Sequence, residues 1–350
     1  MNVYIPNDID LAVPDRALFI LTRPFRANGH WVYDSSLINK WGLGGYNVLL
    51  TDDIRKASVV LLPYTINAYL TSGNRKLLRL YSELCQAYGI KAYGFLSGDW
   101  GKTFPEFEGI TYFRMGGFRS QLSEQNQGFP FSLSDHHQRL YGTEEIQLRI
   151  KQPLPVIGFC GHASLSMMKR VKESAKFLIE NAKRGLSNPL RSDWEPVFPS
   201  AFHRAKLLHL LEQSRKVTTN FVYREHYRAG AITETARDQT TRDYYENIRN
   251  SDYVLCVRGG GNFSVRLYET LMMGRIPVFV NTDCLLPFPK RINWNNQMVW
   301  VEWKDRHRID EVIAEFHHSI TDADFLNLQL SNRKLWKEVL SVSGIFNLIN

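Results

Sequence analysis

Short, continuous apolar runs recur along nearly the whole chain, separated by stretches with helical spacing. Strands buried on both faces look like this, and they occur where helices cover both sides of a parallel sheet. "RALFIL" (16–21), "YNVLLT" (46–51), "ASVVLLPY" (57–64) and "IKAYGFLS" (90–97) form a first set. Between the last two, Leu77, Leu78, Tyr81, Leu84 and Cys85 share one helical face, and Gly89 follows as a stop signal. A second set runs through "PVIGFCG" (155–161), "VTTNFVY" (217–223), "DYVLCV" (252–257), "IPVFV" (276–280) and "QMVWVEW" (297–303). Helices are expected over 164–184, 242–250, 265–273 and 309–320, with a last one over 322–340.

Residues 116–155 break this pattern with Gly, Ser and Gln, and "KQPLP" closes the stretch. At 350 residues the chain suits two domains. The expected class is α/β, with two facing Rossmann-like domains. The first is placed at 1–150 and the second at 151–325, and a C-terminal helix over 326–350 is able to cross back.

The segment "VLCVRGGGNFSVRLYETLMMGRIPVFVNTD" (254–283) reads as one strand–loop–helix–strand unit. A right-handed crossover puts its loop at the C-terminal edge of the sheet, where open α/β sheets bind ligands. Gly259, Gly260 and Gly261 allow close backbone approach, Asn262 or Ser264 is suited to cap the helix, and Gly274 ends it. Arg258 adds a positive charge at the loop entrance. Arg266 in the first helical turn opposes the helix dipole unless an anion lies there, and a diphosphate is such an anion. Glu269, one turn on, is placed to accept from the hydroxyls of a ribose, or to pair with Arg266 on the surface. A dinucleotide fingerprint is the competing reading, on Gly259, Gly261 and Asp283, and it implies an NAD(P)-dependent oxidoreductase. Ser264 stands where its third glycine belongs.

Taken in order, Arg258-Gly259, Ser264, Arg266, Glu269, Gly274, Ile276-Pro277-Val278, Leu286-Pro287-Phe288 and Ile292-Asn293-Trp294 resemble the signature of exostosin-type glycosyltransferases. Thr270 departs from the alanine usual there, and "FLSGDWGKTF" (95–104) is similar to a strand-end Asp-x-Gly element of the family. The resemblance implies an inverting transferase of GT-B architecture. In such an enzyme the C-terminal domain binds a nucleotide-diphosphate sugar and the N-terminal domain faces a glycan or lipid-linked acceptor, in polysaccharide or glycoconjugate synthesis. Arg258, Arg266 and the loop amides would then stabilise the leaving diphosphate, helped by Arg224 or Arg228. The base that inversion requires is assigned to Asp99, with Asp34, Asp52 and Glu106 as substitutes. A protein that binds the nucleotide sugar without catalysis is the remaining alternative.

No metal or other cofactor is expected. "DAD" (322–324) follows a Thr and suits a helix N-terminus, and the pairs His136-His137 and His317-His318 lack zinc-site spacing. Cys85, Cys160, Cys256 and Cys284 are scattered, which argues against a disulfide scaffold. The formal charge of +8 favours anionic partners. Nucleic acid is not among them, because no zinc-finger or RNP-like motif is present. No apolar run approaches the roughly 20 residues of a membrane span, and the first residues lack a signal-peptide pattern. A cytoplasmic location is expected, with peripheral membrane contact open to the basic helix "MMKRVKESAKFLIENAKR", which otherwise serves as a solvated face.

Overall fold

The structure is a computed structural model and describes residues 1–7, 17–131, 134–187, 193–225, 230 and 233–349. The chain divides into two compact units: Met1–Ser132 with Leu285–Phe288 and Glu338–Asn350, and Leu133–Cys284 with Pro289–Lys337. Each is α/β and has its own parallel sheet.

In the first unit the strands of the main sheet are β1 (Asn2–Tyr4), β2 (Leu49–Thr51), β3 (Val59–Thr65), β4 (Lys91–Leu96), β5 (Ile110–Arg114) and β6 (Asn126–Gly128). Their order is β2-β1-β3-β4-β5-β6, with every pair parallel. The helix Arg75–Tyr88 joins β3 to β4 and ends at Gly89, whose φ of 65° suits a residue without a Cβ. One sheet face packs on Phe19, Phe25, Phe113 and Phe129, and Ile345, Phe346 and Ile349 of the helix Val342–Ile349 complete that core.

The second unit holds β7 (Val156–His162), β8 (Thr218–Arg224), β9 (Tyr253–Cys256), β10 (Ile276–Asn281) and β11 (Val299–Glu302). The order is β8-β7-β9-β10-β11, again all parallel. The strand order reverses between β7 and β9. In sheets of this kind the crevice outside the carboxyl ends of the strands at such a reversal is the ligand-binding position.

Several elements differ from the sequence reading. The run at 16–21 is no sheet strand: Leu18 makes a single bridge to Tyr64, and a 3-10 helix covers Ile20–Phe25. Pro24 lies inside that helix, whose turns bury Leu21, Thr22 and Phe25. The helix Ser200–Gln213 had no counterpart in the reading, and the last helix is three pieces, Asp322–Leu335, a π-turn over Trp336–Leu340 and Val342–Ile349.

The first unit closes at 132 rather than 150, because the intervening residues are tied into the second. Tyr141 donates to Glu246, and Arg149 meets the buried Asp252. The segment 326–350 is likewise divided, at 337/338.

Candidate active site

The loop 258–264 leaves the end of β9 and closes on itself, the amide of Gly259 donating to the carbonyl of Phe263 at 3.2 Å. A Cβ added at Gly259 or Gly260 would meet nothing within 4 Å, so packing does not demand these glycines. They leave bare backbone that a ligand can approach. Gly261 is buried, and so is Asn262, which ties the loop to the end of β10. The Asn262 amide nitrogen donates to the carbonyls of Thr282 and Asp283 at 2.9 Å each, and its oxygen accepts from Thr282 Oγ1 at 2.6 Å. Ser264 occupies the N-cap position of the helix Val265–Met272 without a side-chain capping bond, and Gly274 ends that helix at φ 62°.

Arginines gather around this loop. Arg266 reaches from its helix to the end of β7, donating from Nη2 to the carbonyl of Cys160 at 2.9 Å, with its guanidinium 4.3 Å from the ring of Phe159. Arg204, on the helix Ser200–Gln213, donates to the carbonyl of His162 at 2.7 Å and to Ser200 Oγ at 2.9 Å. At the end of β8 the carbonyl of Arg224 accepts from His162 Nδ1 at 3.0 Å, and its guanidinium donates to Thr240 at 2.7 Å. Three arginines therefore bracket residues 160–162, at the reversal of strand order. Burial, reinforced by the charge of Arg266, pushes Arg204 down to about 10. The Nε atoms of Arg204 and Arg266 are buried and find no hydrogen-bond partner among the described residues. Desolvated cations with unmet donors favour the arrival of an anion.

Arg258 is almost fully buried, forms an ion pair with the equally buried Glu195 at 3.2 Å, and lies 4.7 Å from the ring of Phe198. Burial lowers its pKa and the Glu195 charge opposes that shift. Arg258 fixes the entrance of the loop. Arg228 lies outside the described residues.

Glu269 accepts from the phenol of Tyr244 in a short hydrogen bond and from Tyr245 at 3.4 Å. Burial raises its pKa, while the Tyr244 bond and the charge of Arg266 pull it back. The expected Arg266–Glu269 pair is thus a chain, Arg266–Tyr244–Glu269, with Arg266 also 5.8 Å from the Tyr244 ring. A carboxylate has about four lone-pair sites, so Glu269 retains acceptor capacity beside its two tyrosines.

In the first unit Asp99 follows β4 on an exposed turn. Gly116 allows that turn to pack, since a Cβ there would stand 2.0 Å from the Asp99 carbonyl. Partial desolvation lifts the Asp99 carboxyl above the usual carboxylate value. Two of the substitutes have structural work instead: Asp34 caps the helix Ser35–Lys40, and Glu106 accepts from Ser123 and Asn126. Asp52 is exposed. Thr321 and Asp324 form a capping box, which accounts for the "DAD" segment.

Arg204, Tyr244, Glu195 and Phe159 were not singled out from the sequence. A dinucleotide fingerprint belongs to the first strand of a Rossmann unit, whereas this loop follows the third strand of its sheet.

Comparison with known proteins places the family in the same region. Residues 197–316 match the Exostosin GT47 domain, a stretch that contains the loop, its helix and β8 to β11. A protein of Physcomitrium patens named probable glucuronosyltransferase 47 A is 36% identical over 75 residues, 21% of this chain and 17% of that protein. Probable beta-1,4-xylosyltransferase IRX10 of Arabidopsis thaliana is 32% identical over 90 residues, 26% of this chain and 22% of that protein. The matched stretch thus spans only about a fifth of such relatives. Among solved structures, a glycosyltransferase from Rickettsia africae ESF-5 aligns over 99% of this chain and 96% of its own, at 11% identity and a TM-score of 0.35. Residues 197–316 therefore carry the similarity of this chain to the exostosin-type (GT47) glycosyltransferases.

Proposed function

We propose that the chain transfers a sugar from a nucleotide-diphosphate sugar to a glycan or lipid-linked acceptor, with inversion and without a metal ion, in the synthesis of a polysaccharide or glycoconjugate. The observation that carries this reading is the pair of half-buried arginines Arg204 and Arg266 at the β7/β9 reversal, each with a buried Nε that finds no partner among the described residues. A diphosphate there would meet both, together with the open backbone of Gly259 and Gly260 and, from β8, Arg224. Glu269, held by Tyr244 and Tyr245, accepts from the ribose hydroxyls. Relatives named as glucuronosyl- and xylosyltransferases support sugar transfer as the reaction class.

In the reaction the acceptor oxygen attacks the anomeric carbon as its bond to the diphosphate breaks, and the nucleoside diphosphate leaves with the electron pair. Its developing charge is stabilised by fixed arginines and amides. The acceptor proton passes to Asp99, whose raised pKa suits a general base. The side chain of Asn262 is fully engaged within the protein, so its part is to shape the loop.

The test is a thermal-shift and calorimetric screen of nucleoside diphosphates, nucleotide sugars and NAD(P), followed by product analysis with a mixed acceptor panel. Stabilisation by a nucleoside diphosphate and its sugar, with product formed in chelator, is expected. Stabilisation by NAD(P) alone would overturn the reading.

A further inference from the structure

The helix Met167–Ser187 is turned the opposite way from an ordinary surface helix. Its inward face is largely polar: Glu173 accepts from the amide of Ala201, Asn181 exchanges two hydrogen bonds with the backbone of Glu195, and Arg184 pairs with Glu180. Phe177 is its one buried apolar side chain. The outward face carries Met167, Met168, Val171, Leu178, Ile179 and Leu186, all more than half exposed. At 100° per residue these six fall within about a third of the helix circumference. Trp194 extends the patch, its exposed ring packed beside Gly185, where a Cβ would come within 3.1 Å of it.

A row of lysines borders the apolar stripe. Lys169, Lys172, Lys176 and Lys183 are all exposed on the side adjoining it. The helix's two acids, Glu173 and Glu180, lie on the inward side and are engaged there. Contiguous exposed apolar surface marks an interaction site rather than a solvated face. Among the described residues no helix is long and apolar enough to cross a membrane.

We propose that this face docks onto an anionic lipid surface, lying in the plane of the interface with the apolar stripe inserted and the lysines against the headgroups. Charge chooses the occupant. A second copy of the chain would oppose one lysine row with another, whereas anionic headgroups complement the row and an interfacial tryptophan is at home at their depth. The inference does not rest on the proposed reaction.

The experiment is flotation of the full chain with phosphatidylcholine vesicles, with and without roughly a third phosphatidylglycerol. Comparison is made with Leu178→Glu/Ile179→Glu and with Lys172→Gln/Lys176→Gln. Because all four side chains are exposed, circular dichroism and melting should match the parent. The parent should float with the anionic vesicles and not with neutral ones. The glutamate variant should bind at least about tenfold more weakly, and the glutamine variant on the order of tenfold more weakly, with a reduced salt dependence. Binding that neither variant alters would overturn the proposal, as would a parent that stays in solution. Sedimentation showing a dimer that the glutamate variant disrupts would give the face to a second copy instead.

Discussion

Arg266 donates to the carbonyl of Cys160 across 106 residues of sequence, and Gly161 makes room for it: a Cβ at 161 would stand 2.9 Å from Arg266 Nη2. The arginine joins the Gly-rich loop's helix to the strand on the other side of the reversal. Replacement by alanine should cost about 2–5 kcal/mol of nucleoside diphosphate affinity, the usual loss when one partner of a buried charged contact is removed. Gly161→Ala should weaken the same ligand with less effect on melting. Calorimetry giving Arg266→Ala the parental affinity would sink the diphosphate assignment.

Asp99→Asn should lower turnover by about 10²–10⁴-fold, the range for a general base, while leaving nucleotide affinity intact. The base acts when deprotonated, so the parent's rate should fall as pH drops through the Asp99 pKa, which desolvation raises from the ordinary aspartate value. The residual rate of the variant should lack that limb. Near-normal turnover would remove Asp99 from the chemistry.

Glu195 neutralises Arg258 where both side chains are 1% exposed, and Arg184 lies 3.8 Å away on its other side. Glu195→Ala leaves buried positive charge uncompensated, so unfolding should become easier by about 3–5 kcal/mol. Denaturant titration checks this. A loss below about 1 kcal/mol would mean that water reaches the pair.

Gly128, at the end of β6, faces the backbone of Leu285–Pro287, and an added Cβ would come within 2.5 Å of the Leu285 carbonyl. Backbone cannot step aside as a side-chain tip does. Gly128→Ala should therefore destabilise the first unit by about 1–3 kcal/mol, read as a lower melting temperature. An unchanged melt would show that the Leu285–Phe288 segment yields.

The parallel sheets were legible because fully buried strands leave continuous apolar runs, as at Val59–Thr65 and Ile276–Asn281. The loop and Arg266 were legible because glycines and a misplaced first-turn charge are local signals. Arg204 was not. Its helix buries Ala201, Phe202, Ala205, Leu207, Leu208 and Leu211 on several faces, which erases the one-sided periodicity that marks a helix. Tyr244 was equally silent, since its role depends on Glu269, 25 residues away in sequence. The 16–21 run misled because apolar content marks burial, not conformation, and Pro24 sets a 3-10 turn there.

The first unit's core includes Val342, Ile345, Phe346 and Ile349, packed with Val3, Ile5 and Phe19, more than 300 residues earlier in sequence. During synthesis, therefore, Val3, Ile5 and Phe19 cannot finish their core until residues 342–349 have followed. Residues 133–284, made in between, have most of their sheet available earlier. The first unit is the one that must wait, holding Phe19, Phe25 and Val59 against a gap until the helix Val342–Ile349 arrives.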